Sequence, residues 1–142
     1  MTKIVIYTAV FGDYDDLKDP VFTDDRFEFV YFSDKKQENV STWTFTPPVK
    51  IFDSHPLSNR YHKFFPHKLF DNCYDYSLYI DSNYQIITKE FYSQIIASIE
   101  SGTTFGALCS PVSYSPFHEL ELVYSKKLIS RSTYKKTASF LN

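Results

Sequence analysis

The stretch KIVIYTAVF, residues 3–11, is an apolar run rich in Val, Ile and Tyr, without strict alternation of apolar and polar residues. Strands that are covered on both faces by helices have this composition. Gly12 ends the run, and a polar segment follows it. The stretch therefore predicts a central strand of an α/β domain.

Strand-like and helix-like segments alternate along the rest of the chain. Strands are predicted at residues 27–34, around 43–45, at 76–81 with a short continuation over 82–87, and at 104–112. A helix is predicted within residues 57–72, capped by Ser58 or Asn59 and kinked at Pro66. Another is predicted within residues 88–101, with Thr88 as its cap and Gly102 beyond its end, and the tail from His118 is moderately helical. This order predicts a Rossmann-like, mostly parallel sheet with helices on both faces.

Length and composition predict one globular domain spanning residues 1–142. The chain is 43% hydrophobic and has twelve Tyr, fourteen Phe and only three Gly, so aromatic rings must fill much of its core. Its net charge is −2 and its basic residues are scattered, which argues against nucleic acid as a partner.

The chain has neither an apolar run of membrane-spanning length nor a signal-peptide pattern at its N-terminus. We therefore expect a soluble protein without a transmembrane segment. Cys73 and Cys109 do not have metal-ligand spacing, and two cysteines do not make a disulfide framework. Buried thiols and a reducing, cytoplasmic location are the simplest interpretation.

Acidic residues follow three of the predicted strands. Asp13, Asp15 and Asp16 follow the first, Asp34 follows the second, and Asp81 with Asn83 follows the strand at 76–81. Each of these acids alone could be an ordinary turn residue. Parallel sheets, however, bind ligands beyond the carboxyl ends of their strands. Asp81 and Asn83 could both direct oxygens at one Mg or Mn ion, which usually completes its shell with substrate phosphates.

Basic residues precede the strand at 76–81. Arg60 and Lys63 lie at i and i+3 on one face of the predicted helix, and His67 extends that face. Arg and Lys beside a metal would bind a diphosphate, whereas the alternative interpretation is a solvated basic face. His62 and His67, each taken alone, are more often surface or capped side chains than ligands.

Four segments, IYTAVFGDYDDLKDP, YFSD, NRYHKFFPHKLF and YDYSLYIDSNYQI, occur in an order and spacing that resemble a known family. It is the bacterial and plant glycosyltransferase-like family whose plant members are linked to mucilage synthesis and to ceramidase activity. More distantly, the pattern is similar to GT-A glycosyltransferases. The resemblance covers residues 4–87 and implies a hexosyltransferase of polysaccharide biosynthesis that uses a nucleotide sugar and Mn or Mg.

The resemblance also implies roles for individual residues, which group by position. The nucleotide-sugar site would include Tyr7, Thr8, Ala9, Asp13, Tyr14 and Asp15, with Asp34 near the base or ribose and Arg60 and Lys63 near the diphosphate. Asp81 and Asn83 would stand in the place of the metal-binding Asp-x-Asp motif, where the neutral Asn83 weakens metal affinity. A glycan or another acceptor would receive the sugar.

The C-terminal third departs from the family's pattern. Relatives have His-Pro, an Arg and a Tyr-Glu-Glu run where this chain has CSPVSYSPFHELELVY, residues 109–124. Pro111, Glu119 and Glu121 can be aligned, but the Arg is absent, and Glu119, Glu121 and His118 are only candidates for a catalytic role. Since relatives continue further, a truncated chain, a minimal relative and a domain without catalysis all stay open.

Two other classes of function are alternatives to the transferase. A non-catalytic nucleotide-sugar or glycan-binding module would have the same donor site without transfer. A hydrolase acting on a lipid amide ranks last, because His55, His62, His67 and His118 lack the H-x-x-x-H spacing of metal ligands.

Overall fold

The computed structural model describes residues 2–13, 15–107 and 115–141. The chain divides into two compact units, residues 1–100 and residues 101–142. Compact units within one chain need not fold independently, so the prediction of a single domain stays a prediction. Among the described residues, no helix is both long and apolar enough to cross a membrane.

The first unit is built on a parallel sheet of four strands in the order β3-β2-β1-β4. The strands are β1 Ile4–Val10, β2 Phe27–Ser33, β3 Thr44–Thr46 and β4 Tyr76–Tyr79. Ile4 on β1 is in register with Phe27 on β2 and with Tyr76 on β4. The predicted central strand and the α/β class are both confirmed.

Helices cover both faces of this sheet, as predicted. Because side chains alternate along a strand, β1 sends Ile4 and Ile6 to one face and Val5 and Tyr7 to the other. The first face packs against α3, Glu90–Glu100, through Phe91, Tyr92, Ile95, Ile96 and Ile99. The second face is covered by α1, His55–Phe64, and α2, Pro66–Leu69, together with Phe70 and Tyr74.

Aromatic rings fill the core in the edge-to-face and tilted arrangements that their quadrupoles favour. Tyr7 contacts Phe70 at 5.2 Å and Tyr79 at 5.3 Å between ring centroids, and Phe29 contacts Trp43 at 5.3 Å. Every residue of β1 is at most 3% exposed. At about 1.5 to 3 kcal/mol for each buried large apolar side chain, β1 is the principal hydrophobic anchor of the unit.

The second unit consists, in its described part, of two packed helices, α4 Pro116–Ser125 and α5 Arg131–Leu141. Ser115 caps α4 by accepting a hydrogen bond from the backbone N–H of His118 at 3.1 Å. The Tyr124 and Tyr134 rings stack at 4.6 Å and join the two helices. The helical tendency predicted for the tail is confirmed.

Several local predictions are wrong. Helix α1 begins at His55, with Ser54 at its N-cap position, so neither Ser58 nor Asn59 is a cap. Pro56 explains the earlier start, because Pro suits the first turn of a helix. Pro66 does interrupt the helical segment as predicted, since α1 ends at Phe64 and α2 begins at Pro66.

Two predicted strand segments are also wrong in their described parts. Residues 82–87 are not a strand, because the backbone turns after β4 and the Tyr84 N–H donates to the Asp81 carbonyl at 3.0 Å. Residues 104–107 are irregular, and the remainder of that predicted strand, with Cys109 and Pro111, lies outside the described residues. Cys73 is exposed rather than buried.

Candidate functional site

The sheet has its topological switch point between β1 and β4. The chain leaves β1 towards β2 and β3 on one side, and it reaches β4 on the other side through α1 and α2. Connections that diverge in this way open a crevice beyond the carboxyl ends of the two strands, where ligands bind in α/β sheets. A cleft of about 610 Å³ lies there, and it involves residues of the first unit alone.

Helix α1 forms one wall of this cleft. Its contribution comes from Pro56, Asn59, Arg60 and Lys63, which share one helical face. Arg60 is exposed and forms no ion pair with any described residue. The Asn59 Oδ1 atom is buried and has no hydrogen-bond partner within the described part of the chain. Since buried polar atoms are nearly always paired, this oxygen marks a place where a ligand could donate a hydrogen bond.

The turn after β4 forms the opposite wall, with Asp81, Ser82, Asn83 and Tyr84. The Ser82 hydroxyl donates to Asp15 Oδ2 at 3.2 Å, which ties this turn to the loop that follows β1. Tyr84 lines the cleft and is 62% exposed. Ala9 and Asp15 complete the lining from the β1 side.

An ion pair spans the two walls. Lys63 Nζ donates to both carboxylate oxygens of Asp81, at 3.0 Å and 3.3 Å, and lies 4.9 Å from the centroid of the Tyr79 ring. The two side chains are 38% and 50% exposed, so water screens the pair and its net contribution to stability is small. A pair of this kind can exchange partners with an incoming anion or cation at little energetic cost.

Two phenols, the buried Tyr7 and the half-buried Tyr79, support the floor of the cleft. The Tyr7 hydroxyl donates to the Lys63 backbone carbonyl at 3.1 Å, which fixes α1 against β1. Burial raises the pKa of Tyr7, and burial followed by the nearby Asp81 carboxylate raises the pKa of Tyr79. Both phenols therefore stay protonated at neutral pH. Thr8, beside them on β1, is fully buried.

Helix α1 is held in place by a fully buried histidine. His62 Nδ1 lies 2.7 Å from the Ser58 carbonyl, while Nε2 accepts a hydrogen bond from the Val49 N–H at 3.2 Å. Its ring packs against Phe11 at 5.1 Å and Phe32 at 5.0 Å. Burial lowers the pKa of His62, so the ring is neutral and structural. The expectation of a surface or capped side chain is wrong for His62, whereas His67 is exposed as expected.

The predicted binding residues fall into two sets. The first set lines the cleft: Ala9, Asp15, Arg60, Lys63, Asp81 and Asn83. The second set, Tyr7 and Thr8, lies in the buried layer behind the cleft.

Two other predicted residues, Asp13 and Asp34, do not line the cleft. Asp13 is paired with Lys35, and the hydrogen bond and charge attraction of this pair lower the pKa of the Asp13 carboxyl group. Asp13 also borders a smaller hollow beside His55.

Three further predictions concern Asp34, Tyr14 and the catalytic candidates. Asp34 is exposed at the end of β2, where its carboxylate accepts a hydrogen bond from Ser33 at 3.3 Å. Tyr14 lies outside the described residues. The catalytic candidates Glu119, Glu121 and His118 lie on α4 in the second unit, where the two glutamates are exposed and His118 is half-buried.

The donor set of the cleft fits a divalent cation only in part. The described residues contain no group of three or more His, Cys, Asp or Glu positioned to hold an ion, and both oxygens of Asp81 already accept from Lys63. Asp81 and Asn83 can supply two oxygens, which suits Mg or Mn if phosphate oxygens and water complete the shell. The residues therefore fit a cation that arrives with a diphosphate and not a closed protein site.

Five cleft residues were not singled out from the sequence as ligand contacts: Pro56, Asn59, Tyr79, Ser82 and Tyr84. The spacing of Asn59 from Arg60 and Lys63 on one helix was an available signal. The exposure of Tyr84 was hidden, because residues 82–87 were read as a strand. Comparison of the chain with known protein families, with curated proteins and with solved structures finds no match.

Proposed function

We propose that this chain binds a nucleoside-diphosphate sugar in the cleft between β1 and β4 and transfers the sugar to a glycan or another acceptor, as a GT-A-like glycosyltransferase. The observation that carries the proposal is the meeting of Arg60 and Lys63 from α1 with Asp81 and Asn83 from the turn after β4. A cleft with cations on one wall and oxygen ligands on the other matches a diphosphate that carries a metal ion. It lies at the switch point where α/β sheets bind nucleotides.

The diphosphate would take its charge partners from α1. The Arg60 guanidinium has no ionic partner among the described residues and can donate two parallel hydrogen bonds to phosphate oxygens. Lys63 would turn from Asp81 to the same diphosphate. Asp81 and Asn83 would then be free to hold Mn or Mg beside it.

Transfer requires stabilisation of the departing diphosphate as the glycosidic bond breaks. Arg60 and Lys63 would oppose the negative charge that develops on the leaving oxygen, which is the usual largest contribution in preorganised sites. A divalent cation held by Asp81 and Asn83 would add Lewis-acid stabilisation of the same charge. Tyr84, an exposed aromatic residue of the cleft, would stack on the nucleobase.

A non-catalytic nucleotide-sugar or glycan-binding module is the second candidate. One observation favours it: the cleft acids Asp15 and Asp81 are both engaged, by Ser82 and by Lys63. Neither is a free base for activating an acceptor. We further propose a reducing compartment, the cytoplasm, which suits the exposed free thiol of Cys73.

Titration calorimetry with uridine and guanosine diphosphates, with and without Mn, tests donor binding. Arg60→Gln should weaken diphosphate binding by about tenfold or more, since hydrogen bonds to charged groups are worth about 1.5 to 3 kcal/mol, and should leave nucleoside binding nearly unchanged. Arg131→Gln, an exposed arginine at the start of α5, is the matched control. Asp81→Ala should abolish the effect of Mn on affinity.

The outcomes separate the two candidates. Transfer or hydrolysis of a bound nucleotide sugar would establish the enzyme, whereas binding without turnover at high protein concentration would establish the module. If no nucleoside diphosphate binds, or if Arg60→Gln and Arg131→Gln bind equally well, the cleft is not a diphosphate site.

A further inference from the structure

Helix α1 has three faces with different roles. Ser58 and His62 point inward and are fully buried, and Asn59, Arg60 and Lys63 face the cleft. The third face has the helical spacing i, i+4, i+7 and is formed by Leu57, Tyr61 and Phe64. This third face is used neither by the core nor by the cleft.

The third face continues into an exposed apolar surface, which we call the α1 patch. Leu57 is 49% exposed, Phe64 is 65% exposed and Phe65 is 38% exposed. The segment before the helix adds Val49 at 51% and Ile51 at 62%. Scattered single apolar residues on a surface need no explanation, but several exposed apolar residues on one helix and on the segment bonded to it indicate an interaction surface.

The α1 patch is preformed by contacts that fix the preceding segment on the helix. The Phe52 N–H donates to the Ser58 hydroxyl at 2.9 Å, and the Val49 N–H donates to His62 Nε2 at 3.2 Å. The Tyr61 ring stacks on Phe65 at 5.1 Å and contacts Phe52 at 5.9 Å. The exposed side chains therefore project from an ordered base.

The charge around the α1 patch differs in sign from that of the whole chain. Residues 49–70 contain four basic residues, of which Arg60 and Lys63 face the cleft. The other two, Lys50 and Lys68, stand against one acidic residue, Asp53, whereas the chain total is −2. Lys50 Nζ lies 4.8 Å from the Phe52 ring centroid, and Lys68 Nζ lies 5.2 Å from that of Phe65.

We propose that the α1 patch docks on an anionic membrane surface. Leu57, Phe64 and Ile51 would enter the boundary between headgroups and acyl chains, as apolar side chains of interfacial helices do. Lys50 and Lys68, whose ammonium groups lie beside the Phe52 and Phe65 rings, would contact the headgroups, where anionic lipids attract them. The ammonium groups of Lys50 and Lys68 beside the aromatic rings favour an anionic partner over a neutral one. The proposal does not depend on what the cleft binds.

Vesicle flotation with the full chain tests the proposal. The protein should float with vesicles of phosphatidylcholine and phosphatidylserine and bind much less to phosphatidylcholine alone, and added salt should weaken binding. Leu57→Ser combined with Phe64→Ser should abolish flotation, while Lys50→Gln and Lys68→Gln should each lower the partition coefficient by about fivefold.

Matched controls test folding and nonspecific binding. The four substituted side chains, those of Lys50, Leu57, Phe64 and Lys68, are exposed, so the thermal unfolding midpoint and circular dichroism of each variant should match the wild type. Val21→Ser combined with Ile87→Ser removes two apolar side chains that are 58% and 62% exposed elsewhere, and should leave flotation intact. The proposal is overturned if the variant with both Leu57→Ser and Phe64→Ser still floats with the vesicles. It is also overturned if the protein binds equally to vesicles with and without phosphatidylserine. Self-association in solution that depends on Leu57 and Phe64, without vesicle binding, also overturns it and assigns the α1 patch to a second copy.

Discussion

The buried His62 should make stability depend on pH between about 7.5 and 5.5. In the folded chain its ring is fully buried, with Nε2 accepting from Val49 and Nδ1 next to the Ser58 carbonyl. A second proton on the ring would sit on Nε2. The Nε2–H group would then face the backbone N–H of Val49, so that two donors would oppose each other. The aromatic rings of Phe11, Phe32 and Tyr61 surround it and offer no counter-charge.

The sign of the effect follows from the direction of the shift. Burial lowers the pKa of His62 below its unfolded value of 6.5, so the unfolded chain binds the extra proton first as the pH falls. The stability that neutral His62 contributes is fully present above the pKa of His62 in the unfolded chain. It is lost as the pH falls towards the lower pKa of His62 in the folded chain. For one proton, the free energy of unfolding should decrease by up to about 1.4 kcal/mol by about pH 5.5.

Urea unfolding followed by circular dichroism, for the wild type and His62→Gln at several pH values, measures this loss. A glutamine amide can donate to the Ser58 carbonyl and accept from the Val49 N–H but takes up no proton. The variant should therefore be less stable at pH 7.5 by about 1 to 3 kcal/mol, with a flatter pH profile. His55, His67 and His118 are present in both proteins, so the difference isolates His62. Parallel profiles over this range would refute the reasoning.

Two other substitutions test the cleft and its surroundings. Gly12→Ala should destabilise the fold by about 1 to 3 kcal/mol in urea unfolding. Gly12 has φ +74°, and an added methyl group would collide with the His55 imidazole. Unchanged stability of the variant would contradict this strain. If the Tyr84 ring stacks on the base, Tyr84→Ala should weaken nucleoside-diphosphate binding by about fivefold or more in calorimetry. The unfolding midpoint should stay constant, because the side chain is 62% exposed. Equal affinity of the variant and the wild type would remove Tyr84 from the nucleotide site.

The architecture was predictable where composition determines burial. The residues of β1 and β2 are apolar on both faces, and only a strand between two layers can bury both. Because parallel strands align their carboxyl ends, the sequence also predicted that Asp15 and Asp81 lie at one edge of the sheet, as they do. The shared face of Arg60 and Lys63 followed from helical periodicity alone.

The details that were missed depend on tertiary contacts. The local pattern of residues 82–87 is ambiguous, because Ser82 and Asn83 favour a turn, whereas Ile86 and Ile87 are apolar whether they pair in a sheet or follow a turn. The burial of His62 arises from Phe11 and Phe32, which are distant in sequence. Likewise, spacing placed Lys63 and Asp81 at one site but did not predict their ion pair.

The strand order determines when the nascent chain is vulnerable during synthesis. Strands β1, β2 and β3 are complete at residue 46, but the helices that cover the two faces of the sheet end only at residues 69 and 100. At ribosomal rates, roughly three to ten seconds separate residue 46 from residue 100. During that interval a highly apolar β1 and its unpaired edge are exposed to other chains. A chaperone that holds the first fifty residues would thus protect this protein more than one that acts after release.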